Sequence, residues 1–413
     1  MFRRNDRSSQ VIQDNARIPE FAFLSEDDLY FDSACQSLRP KSVVAAMRKY
    51  YEEYNSCGER VRYKWGARVD AEVTETREKV LRFLGFSRKD FFTSFTLNTT
   101  YGINLILTQL DNQKAHFAKI ITSDIEHNSP FLATMEFAKK WQIPREIISR
   151  NRDGSIDLAK ADFTDSLVVM NAVSNIDARK LENLREVVKK IHSQGGIFVI
   201  DAAQVLGFYS GWFREQLAKI GADAVCFSSH KMYGPSLGVI VVRKNLVQKF
   251  TTNFIGGGMV DDVQAEKYIL SGLSNPDEHL HTLLEPGLQL YAEIIGFGAA
   301  LDFLVSRKKS DYDQIEQISR KIFDFLKSRE KSGVHVINSE PTSTISFYSD
   351  KIDSHLLADA LSQSGVMTRS GYFCCHYYLD HVKNYPPLVR LSFSFANNLN
   401  DADKLVGILS HAL

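Results

Sequence analysis

Short apolar runs alternate with amphipathic stretches between residues 91 and 242, and this alternation restricts the chain to few folds. The apolar runs cover residues 91–96, 118–122, 166–171, 196–200, 222–227 and 238–242. In the intervening stretch 181–192, Leu184, Val187, Val188 and Ile191 are spaced to form one stripe of a helix. Strands that are buried on both faces and alternate with helices are typical of a mainly parallel sheet. The sequence therefore predicts an α/β fold.

After about residue 285 the pattern changes to longer helices beside short strands. Long helices are predicted at 288–305 and 312–328, followed by strands near 334–347, a helix at 353–364 and a strand at 388–393. The final helix begins near Asn400, where Asn400 or Asp401 could cap it. We therefore expect a polar arm at 1–20, a large domain at 21–285 and a small α+β domain at 286–413, with the N-terminal segment near the small domain.

Charge and cysteine content exclude several classes of protein. Among 413 residues, 50 Lys and Arg balance 50 Asp and Glu, so no basic excess favours a nucleic-acid partner. No uncharged run approaches the roughly 20 apolar residues that span a bilayer. The cysteines are odd in number and too sparse for a disulfide scaffold: Cys35, Cys57, Cys226, Cys374 and Cys375. We expect a reduced, cytoplasmic protein that binds neither membranes nor nucleic acids.

Polar residues that could take part in catalysis or in ligand binding follow three of the predicted strands. Lys231 comes just after the run 222–227, and Asp201 ends the run 196–200. Ligands of open α/β sheets bind beyond the carboxyl ends of strands, where a lysine can form a Schiff base. Thr99 and Thr100 open a helix after the first run, and such a position suits a phosphate. The alternatives are a solvated surface lysine, a capping or surface aspartate, and plain helix capping by the threonines.

The residues around the lysine carry a more specific signal. The motif SSHKMYGP at 228–235, with DAAQ at 201–204 thirty residues before the lysine, resembles the class V aminotransferase family of fold type I pyridoxal phosphate enzymes. Within it, the cysteine desulfurases and selenocysteine lyases are most similar. Further matching motifs follow the family's order from about residue 31 to 409: FDSAC at 31–35, TLNTTYGIN at 96–104, EH at 126–127, VSN at 173–175, GGGM at 256–259 and RLSF at 390–393.

The resemblance implies a seven-stranded-type large sheet, a pyridoxal 5'-phosphate cofactor and a set of residues that bind it. Those residues are Thr99, Thr100, His127, Asn175, Asp201, Gln204, Ser228, His230 and Lys231. Lys231 would hold the cofactor covalently and later move the substrate's α-proton, Asp201 would pair with the pyridine nitrogen, and His127 would stack on the ring as a further catalytic residue. Gln204 and Asn175 would lie at the ring oxygen. The alternative for His127 is an ordinary core histidine.

The resemblance also implies where an amino-acid substrate binds and which nucleophile acts. Arg390 would bind the substrate α-carboxylate together with Asn175, although a surface ion pair is the alternative for this arginine. RSGYFC at 369–374 resembles the family's arginine–glycine–cysteine loop and places Cys374 at the position of the nucleophile that takes sulfur. The alternative is that Cys374 and Cys375 are both buried, inert thiols.

Several positions depart from the family pattern. Cys375 and Cys35 replace alanines, Cys57 lies where a histidine–arginine pair is usual, and Leu288 replaces a threonine that reaches the partner subunit's cofactor phosphate. Gln289 could substitute for that threonine. The roles of the three extra thiols stay open at this point.

The resemblance favours a homodimeric enzyme that converts L-cysteine to L-alanine with a persulfide on Cys374, which a sulfur-acceptor protein or a reductant clears. Alternatives are another reaction with the same cofactor, such as β-elimination, selenocysteine cleavage, epimerisation or transamination, on an amino acid or a larger, carrier-linked substrate. A non-catalytic scaffold is the last alternative, and it would have no need of Lys231, Asp201 and His127.

Overall fold

The computed structural model describes residues 17–59, 61–205 and 219–413, and these divide into two compact units. Within the described ranges, unit 1 comprises residues 17–38, 307–371 and 386–413, and unit 2 comprises residues 39–306 and 372–385. Residues 1–16 of the expected arm lie outside the described residues. Unlike the expected boundary at residue 285, the division leaves residues 286–306 and 372–385 in the unit that holds the large sheet.

Twelve α-helices are present in the described ranges, and among them none is long and apolar enough to cross a membrane. Their bounds are α1 (Lys41–Glu53), α2 (Lys64–Leu84), α3 (Thr99–Gln109), α4 (Asn112–Ala115), α5 (Asn128–Trp141), α6 (Leu184–Ser193), α7 (Ser271–Ser274), α8 (Pro276–His279), α9 (Tyr291–Val305), α10 (Lys309–Ser328), α11 (Ser354–Gln363) and α12 (Leu399–Ala412). Short 3-10 turns lie at Pro19–Phe21, Ser229–Lys231, Lys244–Lys249, Leu280–Leu284 and Glu330–Ser332, and a π-helical turn at Tyr377–Val382.

The strands form one large sheet, one small sheet and two short pairs. Their bounds are β1 (Leu29–Tyr30), β2 (Phe91–Thr96), β3 (Lys119–Ser123), β4 (Arg145–Ile148), β5 (Ser166–Asn171), β6 (Ile197–Asp201), β7 (Ala224–Ser228), β8 (Gly238–Arg243), β9 (Val260–Val263), β10 (Tyr268–Leu270), β11 (Val334–Val336), β12 (Thr344–Ser349), β13 (Val366–Met367), β14 (Arg369–Gly371) and β15 (Leu388–Ser392).

Unit 2 is built on a seven-stranded sheet with the strand order β2-β8-β7-β6-β5-β3-β4. Strand β8 is antiparallel to both of its neighbours, and the other neighbouring strands pair in parallel. All six predicted apolar runs are strands of this sheet. They are rich in apolar residues because side chains on both faces of the sheet are buried. The α/β fold class with a mainly parallel sheet is therefore confirmed.

Two features of unit 2 were absent from the prediction. Strand β4 is an edge strand that pairs only with β3, and its four residues are all half-buried, so it carries no continuous apolar run. Helix α9 packs against α1 and α2 rather than joining the smaller sheet. Its side chains are buried on nearly all sides, as expected of a helix enclosed within a domain core.

Unit 1 contains a four-stranded antiparallel sheet with the order β11-β12-β15-β14. Helices α10, α11 and α12 contribute Ile318, Leu357 and Leu405 to a hydrophobic core that also contains Phe347 of the sheet. The chain's N-terminal part joins this unit, since β1 pairs in parallel with β13. Helices beside a small sheet agree with the α+β pattern expected for the C-terminal part of the chain.

The cap of α12 corrects the sequence prediction. The residue at the N-cap is Asn398, whose side chain accepts a hydrogen bond from the backbone N–H of Asp401, and the Asp401 carboxylate accepts from the N–H of Asn398. Asn400 is exposed within the first helical turn and does not cap. This reciprocal pair of hydrogen bonds is a capping box. The predicted cap at Asn400 therefore lies two residues after the observed one.

The cap predicts a difference between two neighbouring asparagines. Asn398→Ala removes the side chain that satisfies a helix N–H and should lower the free energy of unfolding by about 1 kcal/mol. Asn400→Ala, an exposed helical position, should leave the free energy of unfolding unchanged or slightly raised because alanine favours helix. Urea denaturation followed by circular dichroism measures both values, and equal losses in the two variants would contradict the capping assignment.

Candidate active site

Lys231 lies at the end of the turn that follows β7. Strand β7 ends at Ser228, and the 3-10 turn Ser229–Lys231 carries the lysine beyond the carboxyl edge of the sheet. The N–H groups of Met232 and Gly234 both donate to the carbonyl of Ser229, which closes the turn tightly. Lys231 is half-buried. The alternative of a fully solvated surface lysine therefore does not describe this position.

Asp201 is the last residue of β6, the strand beside β7. Its side chain is buried, and Oδ1 accepts a hydrogen bond from the N–H of Ala203 at 2.9 Å. Burial raises the pKa of the Asp201 carboxyl, while that backbone hydrogen bond and the positive charge of Lys231 act in the opposite direction. The acid and the lysine therefore occupy the same edge of the sheet and interact electrostatically.

The start of α3 is joined to the end of β7 by hydroxyl groups. The N–H of Thr99 donates to Ser228 Oγ at 2.9 Å, and the two side-chain hydroxyls lie 2.6 Å apart. The helix is capped by Asn98, whose Oδ1 accepts from the N–H of Tyr101. Because Asn98 caps the helix, the alternative that Thr99 and Thr100 are plain capping residues is wrong.

A second chain of polar contacts connects the start of α3 to the start of α5. Thr100 Oγ1 lies 2.5 Å from Ser129 Oγ, which in turn lies 2.9 Å from Nδ1 of His127. That nitrogen also accepts from the Ser129 N–H at 3.0 Å, so His127 is the cap of α5. Sequence reasoning missed Ser129, although a serine two residues after a helix-capping residue is a recognisable signal.

His230 precedes Lys231 in the turn. Burial, together with the positive charges of Lys231 and Arg39, lowers the pKa of His230 to about 4. The imidazole is therefore neutral near pH 7, so it can offer a hydrogen bond but no positive charge. Gln204, three residues beyond the end of β6, is buried.

A buried ion pair supports the ends of β3 and β5, and sequence reasoning missed it. Arg150 Nη2 lies 3.0 Å from Glu126 Oε1 and donates to the carbonyl of Asn171 at 2.7 Å. Glu126 Oε2 accepts from the N–H of Asn171 at 2.7 Å. Burial raises the pKa of Glu126 to about 7, with Arg150 opposing the shift. The pair fixes the backbone directly before His127, and Arg150 was not predicted because it follows the edge strand β4.

The loop that carries the two adjacent cysteines belongs to unit 2 and contacts Asn175. Asn175 Nδ2 donates to the carbonyl of Phe373 at 2.8 Å, and the Cys375 thiol donates to Asn175 Oδ1 at 2.9 Å. The N–H of Asn128 donates to the carbonyl of Cys374 at 2.7 Å. Cys374 is exposed and Cys375 is 1% exposed. The alternative of two buried thiols is therefore wrong for Cys374 and right for Cys375.

Arg390 lies in unit 1, on β15, whereas the other predicted site residues lie in unit 2. It is 2% exposed, and Nη2 donates to Asp32 Oδ1 at 3.1 Å. Burial lowers the pKa of the guanidinium, and Asp32 opposes the shift. The alternative of a surface ion pair is wrong, because this is a buried arginine. Half-buried Cys35 belongs to the same unit.

Leu288, which replaces the threonine of the family pattern, lies in an exposed turn. Its side chain is 72% exposed. Gln289 Nε2 donates to the carbonyls of Glu285 and Gly287 in its own turn, at 3.2 and 3.1 Å. The turn is held to β2 because the Glu285 carboxylate binds both Arg77 and the N–H of Phe95. Gln289 is thus engaged within its own turn.

A cavity of about 640 Å³ in unit 2 lies away from these side chains. None of the predicted site residues lines it. Both arginines that line it are paired, Arg77 with Glu285 and Arg88 with Glu78. In the part of the chain that the structure describes, no group of three or more His, Cys, Asp or Glu side chains could hold a metal ion. The candidate site is therefore the set of side chains at the strand ends.

The sequence model of Aminotransferase class-V matches residues 29–405. The chain belongs to this family. A relative named probable cysteine desulfurase, from Pyrococcus abyssi, is 29% identical over 400 residues that cover 94% of each chain. Another, from Pasteurella multocida, is 28% identical and covers 95% of this chain and 91% of the relative.

Solved structures agree with the family and the fold. The apo structure of a cysteine desulfurase from Thermococcus onnurineus has a TM-score of 0.84 and 26% identity, covering 97% of this chain and 99% of that one. A C-DES mutant with glycine covalently linked to its PLP cofactor has a TM-score of 0.77 and 16% identity, covering 95% of this chain and 98% of that one. The fold of this family member is thus that of fold type I enzymes.

Proposed function

We propose that this chain is a pyridoxal-phosphate-dependent cysteine desulfurase that converts L-cysteine to L-alanine and keeps the sulfur as a persulfide on Cys374. The observation that carries the proposal is the exposed Cys374 on a loop bonded to Asn175 and to the first residue of α5, within the unit that holds Lys231 and Asp201. The cysteine desulfurases among the relatives support the same reaction.

The donor set at the strand ends fits a charged ring that bears a phosphate. Asp201 is a buried carboxyl beside Lys231, and a buried acid suits the pyridinium nitrogen of the cofactor. The hydroxyls of Thr99 and Ser228 meet at the N-terminus of α3, where the helix dipole favours a phosphate. When bound, pyridoxal phosphate supplies an electron sink for the α-carbon of an amino acid.

Each candidate site residue of unit 2 would then have a distinct role. Lys231 would hold the cofactor through Nζ, and the same amine, once released, would move the substrate's α-proton. Asp201 would keep the ring nitrogen protonated, and Gln204 and Asn175 would bind the ring oxygen. His127 would cover one ring face, in an orientation that its contact with Ser129 fixes.

The phosphate would be held by neutral donors and a helix terminus. Thr99, Thr100 and Ser228 offer hydroxyls at the start of α3, and His230 offers a neutral imidazole. Arg390 would bind the substrate α-carboxylate in bidentate geometry, which the planar guanidinium group allows. In the sulfur transfer, the bond between substrate Cβ and sulfur breaks, a bond from that sulfur to Cys374 Sγ forms, and Cβ takes a proton to give alanine.

The proposal includes a homodimer and a sulfur acceptor. Large apolar side chains are exposed on unit 2, and such surfaces commonly bind another protein. They include Leu97, Phe254, Val263, Tyr268, Ile269 and Leu288. Light scattering would test the dimer. A protein or small-molecule acceptor would reach the exposed Cys374. We also propose a cytoplasmic location, because thiols stay reduced there.

The reaction is tested by incubating the purified protein with L-cysteine and a thiol reductant, then measuring alanine, sulfide and pyruvate. We expect alanine and sulfide in equal amounts without pyruvate. With one equivalent of L-cysteine per chain and no added reductant, about one alanine should form for each Cys374 while the sulfur stays on the protein, because no excess thiol is left to clear the persulfide. Pyruvate with ammonia would identify β-elimination instead, and no product from a protein that binds the cofactor would move the search to another substrate.

A further inference from the structure

The carboxamide of Asn175 joins the two residues on either side of Cys374. Its Nδ2 donates to the carbonyl of Phe373 at 2.8 Å, and its Oδ1 accepts from the Cys375 thiol at 2.9 Å. The amide is buried, so both of its ends depend on partners from the protein. The same two hydrogen bonds therefore contribute both to the orientation of Asn175 and to the position of the cysteine loop.

The backbone at the nucleophile needs such support. Phe373 has φ 49° and Cys374 has φ 59°, so two successive residues with side chains occupy the left-handed region. That region is unfavourable for residues other than glycine and persists where surrounding contacts impose it. The contacts here are the Asn175 bonds, the bond from the Asn128 N–H to the Cys374 carbonyl and the bond from the Cys375 N–H to the Tyr372 carbonyl.

The two adjacent thiols are in different environments. Cys374 is exposed, whereas Cys375 is 1% exposed and uses its hydrogen in a bond to Asn175, with the Phe373 carbonyl 3.7 Å from the same sulfur. A thiolate, the form that attacks sulfur, has no hydrogen to donate. A role for Cys375 as second sulfur carrier would require it to give up this bond and to reach the substrate from a buried position.

We infer that Cys375 is a positioning residue: its S–H group orients Asn175, and through Asn175 it holds the strained loop that presents Cys374. The inference rests on the proposed function only in naming Cys374 as the nucleophile. Cys375 thus supports the sulfur-accepting loop through Asn175 without touching the reacting atoms.

Two substitutions separate the hydrogen bond from the size of the side chain. Cys375→Ala and Cys375→Ser are both smaller than cysteine, and only serine keeps a donor for Asn175 Oδ1. In Cys375→Ala the buried oxygen loses the thiol hydrogen bond, so the N–H of Asn128 should exchange with deuterium about tenfold faster, and single-turnover persulfide formation on Cys374 should slow about tenfold with little change in KM. Cys375→Ser should recover both rates to within about threefold.

Hydrogen exchange is measured on the full-length protein with cofactor and without substrate, so it tests the loop whether or not cysteine proves to be the substrate. Equal exchange and equal turnover in the alanine variant and the unmodified protein would overturn the inference, as would a serine variant as impaired as the alanine one. If the alanine variant fails to fold, peptide mapping of the unmodified protein after reaction with cysteine still decides. We expect sulfur on Cys374 alone, and sulfur on Cys375 would identify a carrier rather than a positioning residue.

Discussion

Replacing Lys231 by alanine will abolish turnover, with an expected loss of about 10³-fold or more, because one amine both anchors the cofactor and moves the α-proton. The visible absorption of the lysine–cofactor adduct should disappear at the same time. The half-buried position of Lys231 beyond β7 and its electrostatic contact with Asp201 support this dual role. Alanine production and the absorption spectrum of the purified variant measure the two effects.

The matched control is Lys160→Ala, which removes an exposed lysine from the same unit. It should retain full turnover and the unmodified spectrum. Circular dichroism of both variants checks that the fold is intact. A Lys231→Ala protein that still turns over cysteine at more than about a tenth of the original rate would refute the assignment of the lysine.

Replacing Cys374 by alanine will leave cofactor binding and the absorption spectrum intact while stopping persulfide formation. Alanine production should fall by about 10³-fold or more, because the step that removes sulfur loses its nucleophile. The geometry explains the separation of the two effects, since Cys374 contributes its backbone carbonyl to the loop and its side chain is exposed. Mass spectrometry of the protein after reaction with cysteine measures the persulfide directly.

Cys57→Ala is the matched control, since Cys57 is the other exposed cysteine among the described residues. It should form persulfide on Cys374 at the original rate. If Cys374→Ala kept full alanine production while Cys57→Ala lost it, the nucleophile would have been assigned to the wrong thiol. Loss of cofactor from Cys374→Ala would instead point to a structural role of the loop.

The strands of the large sheet were predictable because they are buried on both faces, so that 166–171 and the other runs are mostly apolar. The edge strand β4 was not predictable in this way, since its four residues are all half-buried and its short sequence has no apolar pattern that distinguishes it from a loop. Helix α9 was recognised as a helix, but its apolar surface does not identify its partner. Packing against α1 and α2 decided that it joins unit 2.

The candidate site was predictable where motif and strand end coincide. Lys231, Asp201 and Thr99 follow apolar runs directly, and parallel strands bring their carboxyl ends to one edge. The contact of Ser129 with Thr100 and the pairing of Glu126 with Arg150 were missed, because both join segments that are separated in sequence. The local contact of Ser129 with the capping His127 was the one signal that could have identified this serine.

The sequence by itself determined the α/β class, the family and the order of the residues proposed to act, because periodicity and motifs are local properties of the chain. Only the tertiary structure distinguished Cys374 from Cys375, which are neighbours in sequence and identical in chemistry. A left-handed turn exposes the first thiol and directs the second into a bond with Asn175, two hundred residues away. Burial and long-range hydrogen bonding separate the two thiols, and neither is encoded in the local pattern.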